Sequence, residues 1–308
     1  MATAFITHPA CLKHDMGSYH PESPARLAVI EAHLVSAGLY PALQHHEAPR
    51  ASREQLLRVH EAAYVDAIEA AAPSQGMVHL DPDTAMNPYT LEAALRAAGA
   101  AVLATDLVMA GSAENAFCSI RPPGHHATRN RSMGFCIFNN VAVGVAHALQ
   151  AHGLERVAIA DFDVHHGNGT EDIFKDDPRV MLCSTFQHPF YPHCGADSGN
   201  THIINVPLPA ATDGAGFRAA VRERWLPALE AFQPQMLFFS AGFDAHCEDE
   251  LAGLSLVEAD YAWVTEEIKA VAHQWAQERI VSVLEGGYAL SALGRSVSAH
   301  ITALMEKR

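Results

Sequence analysis

Val157-Ala-Ile-Ala-Asp-Phe-Asp-Val-His-His-Gly-Asn-Gly169 runs from an unbroken apolar stretch straight into a cluster of ionisable side chains. Apolar residues without alternation are expected of a parallel strand covered on both faces, and the polar cluster then falls at the strand's carboxyl end. The arrangement recurs along the chain. Strands are predicted over 2–7, 115–120, 157–162, 180–185, 202–206, 236–241 and 280–285. Helices are predicted over 24–36, 90–109, 139–152, 216–232, 256–277 and 289–304, the first opening on Pro24, which suits a first helical turn. This alternation predicts an α/β fold, a doubly wound parallel β-sheet with helices on both faces. No linker, repeat or composition break divides the sequence, so a single domain over residues 1–308 is expected.

Composition narrows the function classes. The chain is 49% apolar and 18% charged, enough to bury a core and too apolar for intrinsic disorder. Twenty Lys+Arg against 35 Asp+Glu leave a net charge of −15, which argues against nucleic-acid or anionic-membrane partners and permits cationic ligands. No apolar run approaches the ~20 residues that span a bilayer. The six cysteines show no Cys-x-x-Cys spacing and the start has no secretory pattern, so a reduced, cytoplasmic setting is expected.

In open α/β sheets, ligands gather beyond the carboxyl ends of the strands. Four polar clusters stand there: Arg121–His126, Asp161–Asn168, Ser240–Asp244 and Glu285–Tyr288. Asp163 and His165, two apart in an extended segment, point the same way, and Asp244 from a neighbouring strand end can complete a set of three N/O ligands. Three such ligands with an open position describe a catalytic zinc site. Two carboxylates neutralise the dication and weaken it as a Lewis acid, so the attacking water needs a base. His125 and His126 can supply it, with Asp161 orienting one imidazole and Asn168 holding the other without adding negative charge. Tyr288, after two glycines, can donate its hydroxyl to an oxyanion.

Five ordered motifs, RPPGHHA (121–127), GFCIFNN (134–140), DFDVHHGNG (161–169), SAGFDAH (240–246) and EGGY (285–288), together resemble the zinc-dependent histone deacetylase family. HPESPARL (20–27) and Asn168 resemble its class II branch and bacterial relatives; class I members carry an aspartate at the position of Asn168. The resemblance implies the arginase/deacetylase fold and hydrolysis of N-acyl groups from amines. It implies one zinc ion on Asp163, His165 and Asp244, Tyr288 polarising the carbonyl, His126 as general base and acid, and His125 paired with Asp161 as an electrostatic aid. It also implies an acyl-lysine tunnel walled by Phe135 and Tyr191, a Gly134 carbonyl that accepts from the substrate amide, and Arg26 lining an acetate exit channel. A structural potassium ion on Asp161, Asp163, His165 and Ser184 is implied as well.

The expected activity is removal of acetyl or other short acyl groups from lysine side chains. An acetylpolyamine deacetylase is the first alternative, because Glu248-Asp249-Glu250 could attract a second cation. The polyamine branch of the family carries a glutamate seven residues after the zinc aspartate, where this chain has Leu251. An arginase-like dimetal enzyme would need further bridging aspartates. A non-catalytic acyl-binding module is argued against by Tyr288 and the histidine pair. Oligomeric state is left open.

Overall fold

The computed structural model describes residues 3–306. Its strands are β1 (Thr3–Thr7), β2 (Gln44–Glu47), β3 (Val78–His79), β4 (Ala85–Met86), β5 (Asn115–Cys118), β6 (Val157–Asp161), β7 (Val180–Gln187), β8 (Ile203–Leu208), β9 (Met236–Ala241) and β10 (Ile280–Leu284). Its α-helices are α1 (Ala25–Ser36), α2 (Arg53–Leu57), α3 (Ala62–Ala71), α4 (Thr90–Met109), α5 (Asn140–Ala151), α6 (Asn168–Phe174), α7 (Gly214–Ala220), α8 (Leu226–Phe232), α9 (Glu258–Trp275) and α10 (Leu290–Met305). Every strand predicted from the sequence is present to within two residues at each end; Ala2, which began the first, lies outside the described residues.

Eight strands form one sheet in the order β2-β1-β5-β10-β9-β6-β7-β8. All its pairings are parallel, and β6, β7, β9 and β10 are buried along their whole length. Parallel crossovers are right-handed, so connections running in opposite directions along the sheet place their helices on opposite faces. β1–α1–β2 and β9–α9–β10 run one way, whereas β5–α5–β6 and β6–α6–β7 run the other. Accordingly α1, α10 and α9 pack side by side, and α4 packs against α5. This is the doubly wound sheet expected from the sequence.

Three departures have physical reasons. β2 (QHHE) is a polar edge strand, largely exposed, that lacks an apolar run to betray it. α2 is fixed by a Ser52/Gln55 capping box rather than by periodicity. The helix expected over 216–232 does run without a break from Gly214 to Phe232, but through a π-turn at Val221–Trp225. Pro227, which has no amide proton to donate, follows directly, and the looser π register is one way a helix accommodates such a residue. Among the described residues no helix is long and apolar enough to cross a membrane.

Beneath the centre of the sheet, His300 is fully buried on α10. Its ring nitrogens meet Thr265 Oγ1 at 2.6 Å and Ser282 Oγ at 2.8 Å, and its ring packs edge-on to Phe117, Phe162, Phe239 and Phe243. Burial lowers its pKa from 6.5 to about 3. The folded form therefore prefers the neutral ring, and the stability this contributes is complete above pH 6.5 and lost as pH falls toward 3. Replacing His300 with Gln is expected to remove about 1.4 kcal/mol per pH unit from the acid slope of the unfolding free energy in that window, measured by urea denaturation across pH.

Candidate active site

The strands that carry the four polar clusters, β5, β10, β9 and β6, are adjacent at the centre of the sheet. Chains leaving β5 and β6 turn to one face and those leaving β9 and β10 to the other, which opens a crevice at their carboxyl ends. The clusters meet there.

The segment after β6 is held extended by its own carboxylates. Asp161 Oδ1 accepts from the Asp163 amide at 3.1 Å, and Asp163 Oδ1 from the His165 amide at 2.9 Å. Asp244, from the turn after β9, takes the Val164 amide on Oδ1 at 2.9 Å. Its other oxygen, Oδ2, lies 3.2 Å from His165 Nδ1, is buried and accepts no hydrogen bond. Asp163 Oδ1 lies 3.1 Å from the same nitrogen. Ligand atoms of Asp163, His165 and Asp244 all fall within 4.8 Å of one another. The loop after β10 closes over them through Gly286, whose amide donates to Asp163 Oδ2 at 2.9 Å. A Cβ there would stand 2.0 Å from Asp244 Oδ2.

These side chains are short of positive charge. Burial opposes protonation of His165, but the Asp163 and Asp244 carboxylates beside its ring outweigh it and lift its pKa to about 10. Burial, with the Asp163 carboxylate beside it, pushes Asp244 up to about 6. An orphaned buried carboxylate oxygen, a second carboxylate and an imidazole form an N/O donor set that fits a divalent ion such as zinc.

The two histidines of the Arg121–His126 turn have opposite surroundings. Their rings are 4.0 Å apart. His125 Nδ1 lies 3.0 Å from Asp161 Oδ2; burial disfavours its charge, yet Asp163 and Asp161 outweigh this and raise its pKa to about 10. His126 Nδ1 lies 2.8 Å from Asn168 Oδ1, and burial, reinforced by His125 and His165, lowers its pKa well below 6.5. An amide oxygen only accepts, so Nδ1 of His126 carries the proton and Nε2 keeps its lone pair.

A pocket of about 180 Å³ opens onto this centre, lined by Asp83, His126, Gly134, Phe135, His165, Phe190, Tyr191, Leu251 and Tyr288. The Tyr191 ring stands edge-on to His126 at 5.2 Å, and the Phe135 ring edge-on to Tyr288 at 5.8 Å. Phe135 adopts φ 68°, a left-handed conformation costly for an aromatic residue and of the kind that collects at ligand sites. Burial holds the Tyr288 hydroxyl well above its usual pKa of 10, so it remains a donor.

Arg26 is not among the residues lining this pocket. It is fully buried behind Tyr288, its guanidinium 5.0 Å from the ring centroid. Nε donates to the Gly287 carbonyl at 2.7 Å, Nη1 to Glu22 Oε1 at 3.1 Å and Nη2 to the Glu285 carbonyl. Ser184 lies beside Asp161 in the β6–β7 register, with its hydroxyl buried and unpartnered.

Several contributors escaped the sequence reading. Glu285 Oε2 takes the amides of Gly124 (2.6 Å) and His125 (3.1 Å) while Oε1 takes the Ser240 hydroxyl (3.0 Å), fastening three strand-end clusters together. Asp83 faces the pocket and accepts from the Gly134 amide at 3.2 Å. Glu22 binds Arg121 through both carboxylate oxygens as well as Arg26 and His14. The signals for Glu285 and Glu22 lay inside quoted motifs; Asp83 sits in a loop with no motif to mark it.

A buried N/O ligand set beside two differently tuned histidines, at the carboxyl edge of a parallel α/β sheet, defines a metal-dependent hydrolase. The chain belongs to the histone deacetylase family, whose domain matches residues 20–304, and it is a hydrolase of that zinc-dependent family. A probable deacetylase of Archaeoglobus fulgidus is 37% identical over 94% of this chain and 82% of the relative. The histone deacetylase-like amidohydrolase of Pseudomonas aeruginosa is 37% identical over 93% of this chain and 81% of the relative. Type-2 histone deacetylase 2 of Dictyostelium discoideum is 35% identical over 99% of this chain, which spans only 21% of that relative's length. The crystal structure of the HDA15 HD domain matches with a TM-score of 0.93 at 33% identity, covering 98% of this chain and 88% of that one.

Because a methyl group at Gly286 would enter the ligand set, Gly286→Ala is expected to lose most of its bound zinc while keeping its far-UV circular dichroism. Metal analysis after dialysis checks this.

Proposed function

We propose that the chain is a zinc-dependent amidohydrolase, folded as one deacetylase domain over residues 1–308, that removes acetyl or other short acyl groups from lysine side chains. The observation that carries this reading is His126: a buried, neutral imidazole with a free Nε2, at a pocket that His165 and Tyr288 also line. Asp163, His165 and Asp244 would hold the ion. When bound, zinc supplies positive charge that polarises the acyl carbonyl and the attacking water.

The chain's own groups do the rest. Nε2 of His126 takes the water proton and returns it to the leaving amine. His125, kept cationic by Asp161 and Asp163, stabilises negative charge as it develops, and Tyr288 donates its hydroxyl to the carbonyl oxygen. Phe135 and Tyr191 flank the lysine stem, Leu251 stands at the pocket wall, and the Gly134 carbonyl accepts from the substrate amide. Arg26 holds the backbone on both sides of Gly286 and braces Tyr288 from behind, beside the exit route for the acid product. The unpartnered Ser184 hydroxyl supports a structural potassium ion held with Asp161, Asp163 and His165. Six free cysteines support a reducing, cytoplasmic setting.

Lysine-type substrates are favoured over polyamines by how the 248–250 run is used. Asp249 is buried and spends its oxygens on the amides of Tyr288, Ala289 and Leu251, and Glu248 is paired with Arg295 at 2.6 Å. Glu250 alone of the three is exposed with no ion pair among the described residues, and Leu251 presents no charge to the pocket. An acetyl-lysine peptide is therefore expected to show a higher kcat/KM than N8-acetylspermidine; the reverse preference would overturn the substrate class.

Tyr288→Phe is expected to lower kcat by ~10²–10³ with bound zinc unchanged, and a loss of only a few-fold would remove the tyrosine from this role. Asn168→Asp places a carboxylate on His126, raising its pKa. The base must be deprotonated to act, so the acid limb of the kcat/KM profile is expected to move to higher pH by about one unit or more.

A further inference from the structure

We propose that Asp106, His147 and His152 form a second metal site, apart from the acyl pocket, for a borderline divalent transition-metal ion such as Zn²⁺ or Ni²⁺. Asp106 lies near the end of α4, His147 on α5, and His152 caps the carboxyl end of α5. One oxygen, Asp106 Oδ1, lies 2.8 Å from His147 Nε2 and 2.7 Å from His152 Nε2, and the two rings are 5.4 Å apart. The three ligand atoms fall within 4.8 Å of one another, as those of Asp163, His165 and Asp244 do.

The geometry needs little change to admit an ion. Bonds of about 2.0–2.1 Å in a tetrahedral site put neighbouring donors about 3.3 Å apart. The two nitrogens must therefore retreat from Oδ1 by about half an ångström each. Two imidazoles and one carboxylate select zinc, nickel or cobalt over magnesium or calcium, which prefer all-oxygen shells. The side chains of Asp106 and His152 are 48% and 25% exposed, so the ion would keep solvent on its open side. With one carboxylate instead of two, this site binds more weakly than the pocket's.

Arg58 sets the threshold. Its Nη1 lies 2.9 Å from His147 Nδ1, and a guanidinium only donates, so in this state His147 carries its proton on Nε2, facing Asp106. Binding requires that proton to move to Nδ1 and Arg58 to turn aside, where Glu54 Oε1, already 3.0 Å from its Nη2, retains it. Once filled, the site ties the end of α5 to α4.

Tag-free protein titrated with Zn²⁺, and separately with Ni²⁺, tests this by metal analysis and calorimetry. The wild type is expected to take up one equivalent more than either Asp106→Asn or His152→Ala, and excess zinc to raise its melting temperature more than theirs. Arg58→Gln, which removes the competing charge, is expected to bind the extra ion several-fold more tightly. Equal uptake by the wild type and both variants overturns the proposal, as does weaker binding by Arg58→Gln. The readout is a difference between proteins that share one acyl pocket, so it does not depend on what that pocket holds or hydrolyses.

Discussion

Two carboxylates, Asp163 and Asp244, are buried side by side at the carboxyl edge of the sheet, and much of the surrounding structure answers to the positive charge they require. Burying like charges together is costly unless a cation or strong donors offset them. Backbone amides of Val164, His165 and Gly286 donate to three of their four oxygens, and His165 Nδ1 lies beside the fourth, Asp244 Oδ2, as well as beside Asp163 Oδ1. The glycine at 286 exists because this packing leaves no room for a side chain. The two strands that lead into these residues, β6 and β9, are paired neighbours in the sheet and buried along their whole length.

The same carboxylates help to separate the roles of the adjacent histidines. Asp161 and Asp163 favour the charged form of His125, while burial, reinforced by His125 four ångströms away, disfavours protonation of His126. An amide rather than a carboxylate on His126 preserves the difference. Similar side chains in consecutive positions thus acquire different chemistry from their partners alone, the pattern that marks acid and base assignments in hydrolytic sites.

Behind the pocket, a buried cluster of His14, Glu22, Arg26 and Arg121 links the start of the chain to the turn that carries Tyr288. Glu22 serves both arginines, and Arg26 in turn grips the carbonyls of Glu285 and Gly287. The tyrosine is therefore positioned by residues more than 260 positions earlier in the chain. Its ring lies against Arg26 as well as at a strand end.

The sequence by itself determined the α/β class, the parallel sheet and four of its polar strand ends, because buried parallel strands must be apolar throughout and their boundaries are marked by the first charges. It also picked out Asp163, His165 and Asp244, which the structure brings together at the centre, Asp163 and His165 being local neighbours with fixed alternation and Asp244 standing at another strand end. Tertiary structure alone decided that β5, β10, β9 and β6 stand side by side, that Glu285 fastens their loops, that Arg26 lies behind Tyr288, and that Asp83 reaches the pocket. Those facts depend on chain crossings between residues distant in sequence, and neither local pattern nor composition encodes which distant partner a buried carboxylate or guanidinium will find. The edge strand β2 escaped for a related reason: pairing with β1, not hydrophobic periodicity, holds it in place.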